Sequence, residues 1–323
     1  MSTCPSSNIK AKSRLNVLPT RQPQEILETD AVGPGRFPLW LHRRLPLGHG
    51  VQQTGQVLNK QRLHTVCEEA RCPNLPECWA RQTATFLIMG SACTRNCGFC
   101  DIDFNKQPQP LDEDEPERVA QSVVQLNLRH VVITMVARDD LPDGGSAHLV
   151  KVMQTIRKAC PKASIEVLTS DFAGRKESWE EVLNAEPNIF NHNIETVEDL
   201  TPRVRHKATY KRTLELLHYA STHTTGKTIK IKSGLMVGLG EQEEQVYQTL
   251  RDLKTAGCNI VTIGQYLQPN RHKLLVKSFV TPQQFKIYEN YGYQIGINYV
   301  YAAPFVRSSY NADQLFNTIK AED

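Results

Sequence analysis

Residues 84–100 read ATFLIMGSACTRNCGFC, and this stretch decides the fold. The apolar run at 84–90 is typical of a buried strand, and three cysteines follow it closely. Six further predicted strands lie at 130–136, 164–169, 189–195, 228–237, 259–266 and 297–302. Stretches with helical spacing separate them, which predicts parallel strands joined by crossover helices. We therefore expect an α/β fold, a partial or full (β/α) barrel, with its active site at the carboxyl ends of the strands.

Composition excludes several classes of protein. The chain has 323 residues, of which 40% are hydrophobic and 22% are charged, and its formal net charge is +4. These values are ordinary for a globular protein and argue against disorder and fibres. So mild a charge predicts no nucleic-acid partner. The lack of an apolar run of about 18 residues predicts no membrane span and no membrane partner.

Cysteine is distributed unevenly along the chain. Six of the nine cysteines fall between Cys67 and Cys100, where uniform scatter would put about one. The odd count and the lack of a secretory signal argue against a disulfide framework. Clustered cysteines then indicate metal or redox chemistry in a reducing compartment. Cys4, Cys160 and Cys258 stand alone, and we interpret them as non-ligands.

Three of the clustered cysteines, here called the downstream triad, follow the first barrel strand with the spacing C-x3-C-x2-C. They are Cys93, Cys97 and Cys100. Three thiolates without a fourth suit a 4Fe–4S cluster that leaves one iron open to an exogenous ligand. Structural zinc is the alternative, but it usually takes four ligands from two closely spaced pairs.

The other three, here called the upstream triad, have the spacing C-x4-C-x5-C in a loop interrupted by prolines. They are Cys67, Cys72 and Cys78. They suit a second cluster with one position not filled by cysteine. The alternative is a structural zinc ion with a fourth ligand such as His64.

The downstream triad, with Phe99 before its last cysteine, resembles the radical S-adenosylmethionine (SAM) superfamily. The resemblance implies a partial (β/α)6 barrel in which the open iron of the cluster binds SAM. It also implies that reduction of SAM releases methionine and a 5′-deoxyadenosyl radical, which removes hydrogen from unactivated carbon. The cofactor carries this chemistry, and the protein orients it and excludes water.

The two triads together resemble the lipoyl synthase family within that superfamily. The same resemblance extends to RDDLPDGG at 138–145, NHNIET at 191–196, KSGLMVGLGE at 232–241, GQYLQP at 264–269 and RSSY at 307–310. It covers about residues 50–315 and implies an auxiliary 4Fe–4S cluster whose fourth ligand is Ser309. A serine alkoxide is a hard ligand that we expect to be displaced more easily than a thiolate.

The resemblance implies insertion of sulfur at carbons 6 and 8 of an octanoyl chain attached to a lysine of a carrier protein. The auxiliary cluster donates the sulfur and is consumed. The implied partners are octanoylated lipoyl-carrier domains (2-oxoacid dehydrogenase acyltransferase subunits and the glycine-cleavage H protein) and a ferredoxin or flavodoxin electron donor. The alternatives are another radical SAM sulfur-inserting enzyme, or a zinc-stabilised binding module of a different class.

Several residues near the predicted strand ends, most of them polar, are candidates to bind SAM. Asp139 and Asp140 follow the second strand, where members of the superfamily hold the methionine amine. The remaining candidates are Phe99, Asn193, Glu195 and Arg205, with Arg203 as a second possible carboxylate partner. Ordinary salt bridges or loop caps are the alternative role for the acids.

The chain divides into four predicted regions. Residues 1–50 form a flexible, basic, Pro-rich extension, 51–82 an auxiliary-cluster segment, 83–303 the barrel, and 304–323 a C-terminal segment with the RSSY motif. We expect a cytoplasmic protein. An organellar matrix or stroma is the second choice, because residues 1–24 carry basic residues and no acid.

Overall fold

Parallel strands ordered as in the sequence make up most of the main sheet. The computed structural model describes residues 37–42, 49–224, 226, 228–310 and 312, so the predicted flexible extension lies almost wholly outside the described residues. The strands are β1 (His64–Thr65), β2 (Thr85–Ile88), β3 (Ala92–Cys93), β4 (Asp103–Phe104), β5 (His130–Met135), β6 (Ser164–Leu168), β7 (Ile189–Asn191), β8 (Lys230–Val237), β9 (Ile260–Gln265) and β10 (Tyr299–Ala302).

Helices alternate with these strands. The α-helices are α1 (His49–Lys60), α2 (Val66–Glu69), α3 (Leu75–Ala80), α4 (Glu115–Gln125), α5 (Ser146–Ala159), α6 (Lys176–Asn184), α7 (Thr201–Val204), α8 (Tyr210–His223), α9 (Glu243–Thr255) and α10 (Pro282–Gln294). Short 3-10 turns lie at Leu39–Leu41, Phe172–Gly174 and Glu198–Leu200. None of the described helices is long and apolar enough to cross a membrane.

The order of the main sheet confirms a partial barrel. It runs β1-β2-β5-β6-β7-β8-β9-β10, and all pairs are parallel except β1 with β2. Seven parallel strands with six crossovers in one direction place the helices on one face, because such crossovers are right-handed. Consecutive helices of this layer contact one another. The opposite face is the barrel interior, and it contains the site. The four predicted regional boundaries stay predictions.

Burial explains why the strands form where they do. Every residue of β5 and of β9 is buried, as expected for a parallel sheet covered on both faces. The predicted strand at 189–195 differs most from the structure, because β7 ends at Asn191 instead of 195. The chain then leaves the sheet and rejoins it at Glu195 through an isolated bridge to Leu235. His192 and Asn193 therefore lie on a loop rather than in the ladder.

A buried ionic cluster lies inside the barrel. Lys232 Nζ is 2.8 Å from Glu166 Oε1, and His130 Nε2 is 3.5 Å from Glu166 Oε2. Asn191 donates a further hydrogen bond to Glu166 Oε1 at 3.1 Å. Burial alone would raise the pKa of Glu166, but Lys232 and His130 outweigh it and lower that pKa to about 2. The carboxylate is therefore ionised and tied to three strands.

Candidate functional site

Cysteines of both triads line one cavity at the carboxyl ends of the strands. Its volume is about 430 Å³, within the usual range of small-molecule sites. Its lining includes Cys67, Cys72, Cys93, Cys97, Cys100 and Ser309. A smaller adjoining cavity is lined by the whole upstream triad together with Ser309. All seven predicted cluster ligands thus line these two adjoining cavities.

The loop that carries the downstream triad is fixed to three neighbouring loops. Thr94 donates to Ala137 O through its amide at 3.0 Å and through its hydroxyl at 2.9 Å. The amide of Gly98 donates to Val204 O at 2.9 Å, and Leu274 donates to Gly98 O at 2.9 Å. These bonds hold both ends of the triad against the barrel.

A buried guanidinium between two of these cysteines was missed by sequence reasoning. Arg95 Nη2 is 2.7 Å from Asp139 Oδ1 and 2.6 Å from Asp171 Oδ1, and the Asp171 side chain is fully buried. Arg212 adds a second ion pair to Asp171 at 3.1 Å. Burial would raise the pKa of Asp171, but Arg95 dominates and holds that pKa well below its usual range. The network locks the loop electrostatically. No local signal pairs Arg95 with a carboxylate 76 residues away.

The upstream triad is arranged by two short helices. The Thr65 side chain caps α2, which carries Cys67, and Cys72 donates its amide to Cys67 O at 2.9 Å. The next helix, α3, carries Cys78. Its N-cap is Asn74, and Pro76 lies in its first turn. The prolines therefore turn the chain back so that three cysteines spaced over twelve residues line one cavity.

The C-terminal segment closes this site from a distance. The Asn74 side chain donates to Phe305 O at 2.8 Å, and the Tyr310 hydroxyl donates to Glu77 at 2.9 Å. These two bonds bring Ser309 to the upstream triad across more than 230 residues of sequence. The cavity position of Ser309 agrees with its predicted role as a ligand.

The chemistry of the thiols fits iron–sulfur clusters. Burial raises the pKa of Cys67 and of Cys100 to about 12, and it also raises the pKa of Cys78, Cys93 and Cys97. Thiols so poorly solvated ionise at neutral pH only when a positive centre compensates the thiolate. Iron supplies that charge, and soft sulfur donors suit it. The donor sets therefore fit the groups that the sequence predicts.

The SAM candidates divide into two groups. Phe99, Asn193, Glu195 and Arg205 all line the cavity. Asp139 and Asp140 are not among its lining residues. The Asp139 carboxylate pairs with Arg95, and Asp140 pairs with Arg138 at 2.8 Å. Both acids form ion pairs, and their role toward SAM stays a prediction.

Arg205 is held by neighbouring polar groups. It donates to Thr213 Oγ1 at 2.6 Å, and its Nη2 is 3.5 Å from His192 Nε2. Burial and the charge of Arg205 lower the pKa of His192 to about 4, so this histidine is neutral. Burial also raises the pKa of Glu195, although Arg205 opposes that shift. His192 therefore helps position Arg205 as a neutral support.

Two features of the cavity wall fit a polar ligand such as SAM. Within the described part of the chain, the buried Asn193 Oδ1 and Thr169 Oγ1 have no hydrogen-bond partner. An ammonium or ribose hydroxyl would satisfy them. Gly234 keeps the wall open, because a Cβ there would lie 2.5 Å from Thr262 Oγ1 and 3.0 Å from Asn193 Oδ1. Arg203 is exposed and does not line the cavity.

The partial barrel and the C-x3-C-x2-C loop define an enzyme of the radical SAM superfamily, whose family model matches residues 87–253. A second model, for the N-terminal domain of lipoyl synthase, matches residues 19–72. The lipoyl synthase of Protochlamydia amoebophila strain UWE25 is 64% identical over 300 residues, which are 93% of this chain and 92% of the relative. That of Chlamydia trachomatis serovar D is 51% identical over 90% of this chain and 92% of the relative. This chain belongs to the lipoyl synthase family, which confirms the resemblance.

Solved structures share the fold at low identity. Methylornithine synthase superposes with a TM-score of 0.51 and 13% identity, covering 80% of each chain. Streptococcus suis SuiB bound to S-adenosylmethionine gives a TM-score of 0.54 and 13% identity over 71% of this chain and 53% of SuiB. At such identities the likeness concerns the barrel alone.

Proposed function

We propose that this chain uses SAM to insert two sulfur atoms into an octanoyl group, at carbons 6 and 8, while that group is attached to a lysine of a carrier protein. One observation carries the proposal: the whole downstream triad and two cysteines of the upstream triad, Cys67 and Cys72, line the same cavity of about 430 Å³. A bound acyl chain there lies within reach of both. C–H bonds at saturated positions have no acidic proton, so no general base among the side chains would serve this reaction.

The six triad cysteines and Ser309 are the proposed ligands of two 4Fe–4S clusters. When bound, the cluster at the downstream triad supplies the electron that cleaves SAM to a carbon-centred radical, and the cluster at the upstream triad supplies sulfur. The Arg95 network keeps the downstream loop in place. The Asn74 and Tyr310 bonds bring Ser309 to the upstream triad, where an oxygen ligand is easier to displace than a thiolate.

The chain orients its ligands through the cavity wall. Arg205 lies where it would pair with the methionine carboxylate of SAM, and Asn193 Oδ1 is an acceptor for the methionine amine or ribose. Glu195 lies beside them in the same wall. Phe99, Ile102 and Leu267 give the cavity an apolar surface that suits a saturated acyl chain and excludes water.

The proposed macromolecular partners are octanoylated lipoyl-carrier domains and a small electron donor such as ferredoxin or flavodoxin. The bacterial sources of the related lipoyl synthases support a cytoplasmic place for this chain. Membership of the lipoyl synthase family disfavours both alternatives, another sulfur-inserting radical SAM enzyme and a zinc-stabilised binding module.

The test begins with iron, sulfide and zinc per chain, on protein prepared without oxygen. About eight iron and eight sulfide are expected. The same protein is then given SAM, dithionite and a short peptide that carries octanoyl-lysine. Mass spectrometry should detect a product with two added sulfur atoms and two 5′-deoxyadenosine molecules per product. Zinc without iron, or 5′-deoxyadenosine without any sulfur-containing peptide, would contradict the proposal.

A further inference from the structure

Three basic segments border the cavity. We call segments 97–107, 203–207 and 266–278 the basic rim. These 29 residues carry seven Lys and Arg and two Asp, a net charge of +5, whereas the whole chain carries +4. The rest of the chain is therefore close to neutral. These three segments therefore carry a local excess of positive charge.

The three segments form one continuous structure at the cavity. Leu274 donates to Gly98 O at 2.9 Å, and Gly98 donates to Val204 O at 2.9 Å, so each segment is bonded to the next. Each also contributes to the cavity wall, through Phe99, Arg205 and Pro269 among others. The basic rim thus borders the cavity in which the acyl chain is proposed to bind.

Much of this charge is available to a partner. Within the described residues, Arg203, Arg271 and Lys277 are exposed and form no ion pair. Lys207 is half exposed and stands 3.7 Å from Asp139 Oδ2. Of the two acids, Asp101 is buried and paired with Arg71 at 2.7 Å, which leaves Asp103 as the exposed one.

Two exposed apolar side chains lie among these charges. Phe104 is 41% exposed and contacts the His206 ring edge-on with 6.3 Å between centroids. Leu275 is 61% exposed and directly follows the residue bonded to Gly98. Apolar anchors bordered by charges are typical of protein-docking surfaces.

From these observations we propose that the basic rim docks an acidic face of the carrier domain and so directs its octanoyl-lysine into the cavity. This inference rests on the proposed function. Opposite charges would speed the encounter and fix its orientation, and high salt would weaken it. The electron donor is the competing occupant. The carrier is favoured because the rim borders the cavity in which we propose that the acyl chain binds.

The test compares two double variants with the same change of charge. Arg271→Glu/Lys277→Glu reverses the basic rim. Lys158→Glu/Lys162→Glu reverses exposed charges at the end of α5, near the amino end of β6 and away from the cavity. Single-turnover sulfur insertion is measured against the concentration of octanoylated carrier domain at low salt, with dithionite as reductant so that no protein donor is present. Iron and sulfide contents check that the clusters are intact.

The rim variant should raise the half-saturating concentration of carrier about tenfold, while the remote variant leaves it unchanged. The octanoyl-lysine peptide, which has no domain to dock, should react equally with all three proteins. If the rim variant fails to fold, the wild type alone tests the inference. Its half-saturating concentration of carrier should rise steeply with salt, and its half-saturating concentration of peptide should not.

Three outcomes would overturn the inference. An equal rise in both variants would indicate general charge alone. An unchanged carrier dependence, combined with loss of flavodoxin-driven turnover, would assign the rim to the electron donor. If the half-saturating concentration of carrier for the wild type does not change with salt, the docking is not electrostatic. Wild-type failure on the peptide would instead contradict the proposed function itself.

Discussion

The two cysteine triads differ in how their surroundings are assembled. The downstream triad occupies eight consecutive residues, and a buried ion-pair network from the barrel holds its loop. The upstream triad occupies twelve residues, and its cavity is completed by Ser309 from the far end of the chain. Two hydrogen bonds join that distant segment to the upstream loop, one donated by the Asn74 amide and one by the Tyr310 hydroxyl.

This difference matches the two roles proposed for the clusters. A centre that must cleave SAM repeatedly benefits from a loop locked by buried charges. A centre that gives up sulfur must be dismantled, and closure by a distant segment allows opening without disturbance of the barrel. Under the proposed function, the comparison therefore contrasts a permanent cluster site with a consumable one.

The largest expected effect comes from removal of one cysteine in each triad. Cys93→Ala should abolish both 5′-deoxyadenosine formation and sulfur insertion. Cys67→Ala should abolish sulfur insertion but leave cleavage of SAM, because only the upstream cluster loses a ligand. Both products are measured by mass spectrometry, and iron should fall by about half in each variant. Full sulfur insertion by Cys67→Ala would contradict the assignment of a sulfur donor to the upstream triad.

The next largest effect should come from the buried ionic cluster of Glu166, Lys232 and His130. Glu166→Gln leaves Lys232 buried and unpaired, so we expect a loss of about 3–5 kcal/mol in the free energy of unfolding. The measurement is urea unfolding followed by circular dichroism at pH 7. The double variant Glu166→Gln/Lys232→Met should recover most of that loss, since no unpaired charge remains. A double variant as unstable as the single one would mean that the ion pair is not the cause.

A smaller effect is expected from Asp171→Asn, which should affect the downstream triad alone. Asp171→Asn removes one of two carboxylates that hold Arg95, while Asp139 remains. We expect cleavage of SAM to slow about tenfold, as a loop slightly out of place costs orientation. Iron bound by the upstream triad should not change. Asp112→Asn, which removes a carboxylate beside Arg118 away from the cavity, is the control. Equal slowing in both variants would contradict a specific role for Asp171.

The sequence predicted features formed by neighbouring residues better than features that join distant parts of the chain. The strand pattern predicted the barrel, because buried parallel strands are short apolar runs that a sequence displays directly. The downstream triad was equally visible, since its ligands are local. The Arg95–Asp171 contact and the Glu166–Lys232 pair were not predicted, because each joins strands or loops more than 60 residues apart. The role proposed for Ser309 came only from family resemblance, since a serine pair near a terminus carries no chemical signal alone.

The smallest expected effect tests the closure of the upstream site. Tyr310→Phe keeps the ring but removes the hydroxyl that bonds Glu77 at 2.9 Å. A lost hydrogen bond costs about 1 kcal/mol, so oxygen-free chelation should remove iron from the upstream triad about fivefold faster. SAM cleavage should be unchanged, because the downstream loop does not touch this bond. Tyr293→Phe removes a hydroxyl that bonds Val300 O at 3.2 Å on the barrel wall, and it should leave both clusters as they are. If Tyr310→Phe loses iron no faster than Tyr293→Phe, the distant segment is not what closes the consumable site, and the contrast between the two triads reduces to their ligands.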